Sequence, residues 1–268
     1  MRRIYNKTKK RTLCIIQARM GSTRLPGKVL KKVKGITLLE YEVKRARLAK
    51  KIDKIVVATT INKRDDRIVK ACRQIRVACF RGSENDVLDR YYQCSLAYPN
   101  YETVIRLTAD CPLIDPMIVD KLVEFFEGGN FDYVTNSYFR DRTEDTFPNG
   151  MDVEVFRKQT LKATTQSTKL PEEREHVTPY MKKNRKFRRG LLKAAHDFSH
   201  FRLTVDYRED YEVVKYVIEN SKLKDDYLTF ISLLTKEPEI MLKNRNMKRH
   251  EIKQRLHRDN YVVKELKV

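Results

Sequence analysis

The sequence predicts an α/β fold, in which a doubly wound, mostly parallel sheet is followed by a smaller mixed lobe. In the first half of the chain, short apolar runs alternate with longer segments whose apolar residues recur at helical spacing. The apolar runs are continuous, as expected of strands that are buried on both faces of a parallel sheet. After about residue 131 this rhythm changes, which indicates a second lobe of mixed organisation.

The first half contains four predicted strands, each followed by a predicted helix. The strands are TLCIIQA (12–18), KIVVATT (54–60), VACFRG (77–82) and TVIRLTADCPLI (103–114), the last of which runs into a turn. The helices span 37–50, 64–75, 86–98 and 116–129. Asp65 and Asp66 fall in the first turn of the second helix, where negative charge is favourable. The fourth helix begins at Pro116 and ends at paired glycines, which are good start and stop signals.

The second half is less regular. Its strand-like segments are 131–138, 151–156 and 200–206, and its helical segments are 157–187 and 211–221. Residues 222–268 are predicted to be helical at first and then to end in a basic tail. We therefore divide the chain into three parts. Residues 1–11 are a basic N-terminal extension, and residues 222–268 are a helical basic C-terminal extension. Between them, residues 12–221 form one domain with two halves, 12–130 and 131–221.

The formal net charge of +21 makes nucleic acid a candidate partner. The first acidic residue is Glu40, and the segments 182–189 and 243–258 are densely basic. No helix-turn-helix, zinc-finger or RNA-recognition signature is present, and the chain has no Trp. These observations therefore favour a small polyanionic ligand over specific nucleic-acid recognition. A third interpretation of the positive charge is a basic surface that is only solvated.

The composition also indicates in which cellular compartment the protein is expected. Five cysteines with no close pair argue against a disulfide framework and a zinc knuckle, and Cys14 and Cys111 are predicted to be buried thiols. The longest apolar runs are too short to cross a bilayer, and no signal-peptide hydrophobic region follows the basic N-terminus. We expect a cytoplasmic protein that does not insert into membranes.

The segment that follows the first strand, QARMGSTRLPGK (17–28), combines a turn that contains glycine with three cationic residues. Backbone N–H groups in such a turn can surround phosphate oxygens, and Arg19, Arg24 and Lys28 would add positive charge. The spacing fits neither a Walker loop nor a dinucleotide-binding fingerprint. On this reasoning the segment is either an anion-binding loop or a basic surface turn.

The longer pattern resembles a known family. The core ARxxSxRLPxK from Ala18 to Lys28 is similar to the signature of CMP-sugar synthetases, which include the CMP-Kdo and CMP-sialic acid synthetases. The resemblance is strongest to the spore coat polysaccharide biosynthesis (SpsF-type) cytidylyltransferases. Six further segments resemble that subfamily in the expected order: RGSENDVLDRYY, IRLTADCPLIDP, DYVTNS, FPNGMDVEVF, REHVTPY and FRLTVDYREDYEVV.

The resemblance implies a fold and a reaction. The fold is that of the nucleotide-diphospho-sugar transferases, and the reaction is attack of an acceptor oxygen on the α-phosphorus of CTP, with pyrophosphate leaving. Such transfer depends on positioning and on neutralisation of phosphate charge. The resemblance further implies Mg²⁺ as cofactor, an acidic sugar or related acid as acceptor, a role in surface polysaccharide synthesis, and a homodimer. Residues 12–130 would then bind the nucleotide, and 131–221 would serve the acceptor and the dimer contact.

The same resemblance assigns residues to the triphosphate and the metal. The signature loop would hold the nucleotide through Ala18, Arg19, Gly21, Ser22, Arg24 and Lys28. Arg24, Lys28 and Asp110 would be catalytic, and Lys28 would stabilise the charge of the transition state. Asp110 and Asp206, each at a predicted strand end, would bind Mg²⁺, which prefers hard carboxylate oxygens. Asp210 is instead expected to be a helix N-terminal charge.

The resemblance places Ser83 and Arg90 at the nucleotide base, and Arg106 is a further candidate for nucleotide contact because of its position. Asp86 fits a helix cap equally well. Arg106 lies on the strand that leads to Asp110, where a half-buried guanidinium requires an anionic partner, so either a ligand contact or an internal ion pair satisfies it.

The acceptor contacts are assigned to Asn136, Asp152, Glu154 and His176. Asp152 and Glu154 are two residues apart and would share one face of a strand. Asp152, ahead of His176, would orient or deprotonate the attacking hydroxyl. The basic segment 182–189 either meets an anionic acceptor or faces solvent.

Two other functions remain open on the sequence. The first is a sugar-nucleotide-dependent glycosyltransferase of the same fold, which the segment ADCP disfavours because it lacks a D-x-D metal motif. The second is a basic nucleic-acid-binding protein, although most of the excess cations lie outside the ordered motifs.

Overall fold

The computed structural model describes residues 11–138, 144–247 and 262–266. The strands are β1 (Thr12–Gln17), β2 (Lys32–Val33), β3 (Ile36–Thr37), β4 (Lys54–Thr60), β5 (Ala78–Gly82), β6 (Thr103–Thr108), β7 (Tyr133–Thr135), β8 (Glu154–Arg157), β9 (Arg189–Ala194) and β10 (Val262–Leu266). The α-helices are α1 (Leu38–Ala46), α2 (Asp66–Gln74), α3 (Val87–Leu96), α4 (Pro116–Gly129), α5 (Lys158–Ser167), α6 (Pro171–His176), α7 (Pro179–Lys183), α8 (Arg208–Asn220), α9 (Tyr227–Lys236) and α10 (Pro238–Leu242).

The main sheet has the strand order β10-β9-β7-β8-β6-β1-β4-β5. Its neighbouring strands are parallel, except that β8 runs antiparallel to both β6 and β7. The short strands β2 and β3 form a separate antiparallel hairpin. The predicted α/β fold with a mostly parallel sheet is confirmed.

The continuous apolar run of β1 explains its central position. Leu13, Cys14, Ile15 and Ile16 are all inaccessible to solvent, so both faces of the strand are covered. Because side chains alternate along a strand, Cys14 and Ile16 pack into one hydrophobic cluster and Leu13 and Ile15 into another. The sheet therefore separates two apolar layers, and ligands can reach it only at the strand ends.

Local signals in the sequence set several helix ends. The side chain of Asp86 accepts a hydrogen bond from the backbone of Asp89, so it caps α3. Helix α4 begins at Pro116 behind the capping side chain of Asp115. It ends one residue before Asn130, whose left-handed backbone (φ 52°) terminates the helix.

The second half departs from expectation at two places. Residues 200–206 are not a strand, because their only bridge is between Arg202 and Asn149, within the described part of the chain. The predicted basic tail of the C-terminal segment contains a strand, because Val262–Leu266 form β10, which pairs in parallel with β9 at the sheet edge. A short strand with an exposed face, such as β10, carries little periodic signal in the sequence.

The helices α9 and α10 belong to the same body as the sheet. The α9 residues Tyr227, Phe230 and Leu234 are buried in the larger hydrophobic cluster. Part of the predicted basic tail, 248–261, and the N-terminal residues 1–10 lie outside the described residues. Within the described residues, every helix is too short or too polar to cross a membrane.

Candidate active site

The loop at residues 18–28 lies at the carboxyl end of β1, beside the carboxyl end of β6. The backbone N–H of Ala18 donates to Ala58 at 3.1 Å, and that of Ala109 donates to Gln17 at 2.9 Å. These bonds continue the pairing of β1 with β4 and β6 by one residue. The signature loop and the segment of Asp110 are therefore brought to the same edge of the sheet, as expected for parallel strands.

A buried carboxylate fixes the base of this loop. Asp65 is inaccessible to solvent, and its Oδ1 accepts a 2.8 Å hydrogen bond from the backbone N–H of Met20. Its Oδ2 accepts from the hydroxyls of Thr59 (3.1 Å) and Thr60 (2.5 Å). Asp65 lies at the start of α2, where the sequence places it, but its carboxylate turns inward and ties the loop to the end of β4.

Glycines shape the loop at two points. Gly27 has φ 66°, in the left-handed region, and it precedes a single 3-10 turn over Lys28–Leu30. A Cβ on Gly21 would lie 2.7 Å from the guanidinium of Arg64, so a side chain there requires that arginine to move. The loop therefore turns sharply enough to point the side chain of Lys28 back across the strand ends.

The loop forms one wall of a cavity of about 530 Å³. Its lining includes the predicted residues Arg19, Gly21, Ser22, Arg24, Lys28, Arg106, Asp110, Asp152, His176 and Asp206. The structure thus brings together predicted site residues that are far apart in the sequence, from Arg19 to Asp206.

At the centre of the cavity, cations of the loop meet the two predicted metal ligands. Lys28 Nζ lies 3.0 Å from Asp110 Oδ2 and 2.8 Å from Asp206 Oδ1. The guanidinium of Arg24 also contacts Asp206 Oδ1, at 2.7 Å, and packs over the ring of Tyr207. The loop is therefore bound by ion pairs to the segment after β6 and to the segment before α8, and it is not merely exposed.

The ion pairs shift the pKa values in opposite senses. Burial raises the pKa of the Asp110 carboxyl, but attraction by Lys28 and hydrogen bonds from Thr108 and Lys28 outweigh it, and the net pKa is well below the ordinary value. Burial lowers the pKa of Lys28, but Asp110 and Asp206 outweigh it and the net pKa is raised. Both groups are consequently charged at neutral pH.

The geometry of Asp110 and Asp206 fits a hard divalent cation. Each carboxylate places an oxygen within 3.0 Å of one common point, which Lys28 Nζ occupies. No group of three or more metal-binding side chains occurs in the part of the chain that the structure describes. Two carboxylates suffice for Mg²⁺ when substrate phosphates and water supply the other oxygens.

Asp206 is held in place by its own neighbours. The buried carboxylate of Asp210 accepts hydrogen bonds from the backbone N–H groups of Asp206 (2.9 Å) and Tyr207 (3.0 Å) at the start of α8. It also pairs with the guanidinium of Arg202 at 2.7 Å. The expectation that Asp210 is a helix N-terminal charge is confirmed. Asp206 itself follows extended chain and not the predicted strand.

Arg106 forms an internal ion pair with Glu154. Its guanidinium contacts Glu154 Oε2 at 2.5 Å, across the antiparallel pairing of β6 with β8. Glu154 also accepts hydrogen bonds from the hydroxyls of Tyr133 (2.5 Å) and Thr178 (2.7 Å). Burial raises the pKa of Glu154, but Arg106 and the other donors outweigh it and lower the pKa to about 2. Arg106 lines the cavity as well, so its predicted nucleotide contact remains a prediction.

A second, smaller cavity of about 130 Å³ adjoins the first. Arg106, Tyr138, Asp152 and His176 line both cavities. Lys182 from α7 also lines the smaller one, and its Nζ lies 3.1 Å from the carbonyl of Tyr138 and 3.7 Å from Glu154. Asp152 precedes β8, so the argument that it shares a strand face with Glu154 was wrong, although both reach this cavity.

Four predicted residues lie away from the two cavity linings, namely Ala18, Ser83, Arg90 and Asn136. Asn136 is buried, and its side chain donates to the Met151 carbonyl and accepts from the Val153 N–H, both at 2.7 Å. Its amide therefore joins two backbone segments, and the predicted contact of Asn136 with the acceptor stays a prediction. Ala18 is buried where it continues β1, and it can serve the site only through the loop that it begins.

Ser83 and Arg90 form a local turn before and within α3. The hydroxyl of Ser83 accepts from the backbone of Asp86 at 3.0 Å, and its carbonyl accepts from the guanidinium of Arg90 at 2.6 Å. Arg90 is fully buried, and burial lowers its pKa. Helix α3 reaches the larger cavity through Val87 instead. Contact of Ser83 or Arg90 with a nucleotide base stays a prediction.

Sequence reasoning missed several residues that build the site. They are Asp65 beneath the loop, and Arg202 and Tyr207 around Asp206. Tyr207 directly follows Asp206, so proximity in sequence was an available signal for it. Lys182 belongs to the basic segment 182–189, and it lines the smaller cavity. Nothing in the spacing of Asp65 distinguishes a carboxylate that folds inward from one that faces solvent.

Comparison with known proteins shows which family the chain resembles over most of its length. A model of the cytidylyltransferase family matches residues 13–263. The spore coat polysaccharide biosynthesis protein SpsF of Bacillus subtilis (strain 168) is 34% identical over 239 residues, which are 85% of this chain and 95% of that protein. A solved cytidylyltransferase from Leptospira borgpetersenii serovar Hardjo-bovis is 36% identical, with a TM-score of 0.81, over 90% of this chain and 100% of the other.

A protein of lower sequence identity shares the fold of this chain. A solved CMP:2-keto-3-deoxy-manno-octonic acid synthetase, complexed with CTP, has a TM-score of 0.59 and covers 78% of this chain and 99% of its own. Its sequence identity is 19%, so the similarity concerns the fold alone.

Proposed function

The chain belongs to the cytidylyltransferase family, and on that premise we propose that it transfers CMP from CTP to an acidic sugar or a related acidic acceptor. In this reaction an acceptor oxygen forms a bond to the α-phosphorus of CTP. The bond from that phosphorus to the bridging oxygen of the β-phosphate breaks, and pyrophosphate leaves. The acceptor hydroxyl proton passes to a base or to solvent. Membership of this family disfavours the glycosyltransferase alternative.

One observation carries the proposal: the convergence of Arg24, Lys28, Asp110 and Asp206 in the larger cavity. The cations of the loop would neutralise the phosphates, and Arg19 at the same cavity would add a further positive charge. Asp110 and Asp206 would hold Mg²⁺, which when bound would offset the phosphate charge and aid departure of pyrophosphate. The chain itself would supply positioning of the phosphates and shielding of their charge.

The position of the smaller cavity suggests where the acceptor binds. Asp152 and His176 line both cavities, so they lie where the attacking hydroxyl would approach the α-phosphate. Asp152 is our first candidate for orienting or deprotonating that hydroxyl, and His176 is the second. Lys182 and Arg106 offer cationic groups to an acidic acceptor at the same place. Glu154 would hold Arg106 in position and would not contact the acceptor directly.

The wider role is inferred from the relatives. The name of one relative refers to spore coat polysaccharide biosynthesis, and that of a structural neighbour to synthesis of a CMP-linked octonic acid. We propose that this chain activates an acid of that kind for surface glycan synthesis. A homodimer in the cytoplasm is part of the proposal, and light scattering of the purified protein tests the dimer.

Pyrophosphate release tests the proposed reaction. The purified protein is assayed with each of the four ribonucleoside triphosphates, with Mg²⁺ and a panel of acidic sugars. We expect release with CTP and at least one acid, and none after Asp110→Asn. The control is Asp66→Asn, because Asp66 is exposed and pairs only with Arg81 among the described ion pairs. Full activity of Asp110→Asn, or preference for another nucleotide, contradicts the assignment.

A further inference from the structure

Lys28 occupies the point at which the two predicted metal ligands meet. Its Nζ is within 3.0 Å of Asp110 and within 2.8 Å of Asp206, and its side chain is 12% exposed. A magnesium ion would require oxygens of the same two carboxylates at about 2.0–2.1 Å. An ammonium group and a divalent cation cannot share these oxygens, because two positive charges at that separation repel strongly in a partly buried site.

The surroundings of the two carboxylates are unequal. Asp206 has two further cationic neighbours, Arg24 at 2.7 Å and Arg202 at 3.4 Å. For Asp110, Lys28 is the ion-pair partner among the described residues. If Lys28 leaves, Asp206 keeps compensating charge, whereas Asp110 does not. When Lys28 leaves, Asp110 therefore has a greater need than Asp206 for another cation to compensate its negative charge.

We propose that Lys28 is an internal counter-ion that closes the metal site of the nucleotide-free protein and leaves it when a triphosphate arrives. This inference rests on the proposed function. The side chain of Lys28 extends from the loop that lines the triphosphate cavity, so phosphate oxygens provide an alternative anionic partner within the same cavity. Metal and nucleotide then bind cooperatively, because each favours the arrangement in which Lys28 has left the carboxylates. By linkage the coupling is equal in both directions.

The order of binding follows from this arrangement. Without nucleotide, a divalent cation has to displace the ammonium group from two carboxylates, with no phosphate to receive it. We therefore expect the wild-type protein to bind the metal weakly by itself. A neutral residue at position 28 removes the competing charge and leaves two carboxylates available, so the metal binds more tightly although the triphosphate contact is lost.

The test measures Mn²⁺ binding by electron paramagnetic resonance without any nucleotide, and so does not depend on activity. The neutral variants Lys28→Met and Lys28→Gln are compared with wild type. Thermal unfolding first shows which of the two is folded, and one folded variant is sufficient for the test. Lys28→Arg keeps a competing charge. Lys31→Met is the matched control, because Lys31 belongs to the end of the same turn but packs over the ring of Tyr211.

We expect the neutral variants to bind Mn²⁺ about 5- to 150-fold more tightly than wild type, as is typical of coupling between sites. Lys28→Arg and Lys31→Met should remain close to wild type. Equal or weaker Mn²⁺ binding by a folded neutral variant overturns the inference and leaves the proposed function intact. If no variant binds Mn²⁺, either with or without CTP, that result contradicts both this inference and the proposed function.

Discussion

The backbone N–H of Met20 donates a 2.8 Å hydrogen bond to the buried carboxylate of Asp65, which ties the signature loop to the end of β4. The same carboxylate accepts from Thr59 and Thr60. One side chain therefore links the end of β4 to the segment proposed to hold the triphosphate. The shape of that loop depends on a residue that never reaches the cavity lining described above.

Replacement of Asp65 should release the loop. Asp65→Ala leaves buried hydrogen-bond donors without an acceptor, and we expect a loss of about 2–3 kcal/mol in the free energy of unfolding. We also expect weaker CTP binding, because the loop cations lose their fixed position. Urea unfolding and calorimetry with CTP measure the two effects. Asp66→Ala is the control, since that exposed carboxylate should change stability by no more than about 0.5 kcal/mol. Wild-type stability of Asp65→Ala would contradict this role.

Glu154 should contribute to stability in a defined pH range. Burial raises its pKa, but attraction by Arg106 outweighs this and lowers the pKa to about 2, compared with about 4.3 for an ordinary Glu. A depressed carboxyl pKa stabilises the folded state fully above the unfolded value and loses that contribution as the pH falls towards the folded value. The contribution of Glu154 is therefore present above about pH 4.3 and disappears towards about pH 2.

Glu154→Gln tests this dependence. The variant leaves the buried Arg106 without its carboxylate, and we expect a loss of about 3–5 kcal/mol at pH 7. Its stability should also fall less steeply than that of wild type between about pH 4.3 and 2. Denaturant unfolding at a series of pH values measures both. Glu127→Gln, which removes a surface pair with Lys51, should change stability by at most about 1 kcal/mol. Parallel acid profiles for wild type and Glu154→Gln would refute the assignment.

Lys182 should affect the acceptor and not the nucleotide. Lys182→Met removes a cationic group from the smaller cavity, and we expect the KM for the acidic acceptor to rise about 10- to 100-fold. The KM for CTP should stay near that of wild type. Steady-state pyrophosphate release with each substrate varied separates the two. Lys183→Met is the control, because the neighbouring Lys183 pairs with Glu173 instead. An equal rise in both KM values would argue for general disruption.

The net charge of +21 should not produce specific nucleic-acid binding. We expect any association with RNA or DNA at low salt to be independent of sequence. Its logarithmic affinity should fall by roughly 0.7–0.9 per neutralised phosphate for each log unit of salt. Fluorescence anisotropy with unrelated oligonucleotides at several salt concentrations measures this. Tight binding of one sequence in physiological salt would favour the nucleic-acid-binding alternative.

The sequence predicted the central part of the fold well for a physical reason. Strands such as β1 and β4 are buried on both faces, so they appear as continuous apolar runs, and the helices between them carry clear start signals. The edge strand β10 has exposed residues and lies next to a basic segment, so its pairing with β9 depends on the tertiary structure. The extended residues 200–206 alternate like a strand but meet Asn149 at a single bridge.

The candidate site was predictable where a short segment resembles the family. Arg24 and Lys28 in the signature loop, and Asp110 and Asp206 in two later segments, were assigned in this way, and all four line the larger cavity. The side chains that support them, such as Asp65 beneath the loop and Arg202 beside Asp206, depend on the tertiary structure. Asn136 lies in another matching segment, and its amide joins two backbone segments.

A crystal structure with CTP and Mg²⁺ tests the central claim most directly. The proposal predicts the triphosphate against residues 18–28, a metal ion that contacts Asp110 and Asp206, and Lys28 withdrawn from both carboxylates onto a phosphate. The α-phosphorus should face Asp152 and the smaller cavity. A triphosphate bound away from this loop, or a metal ion that contacts neither carboxylate, would contradict the account.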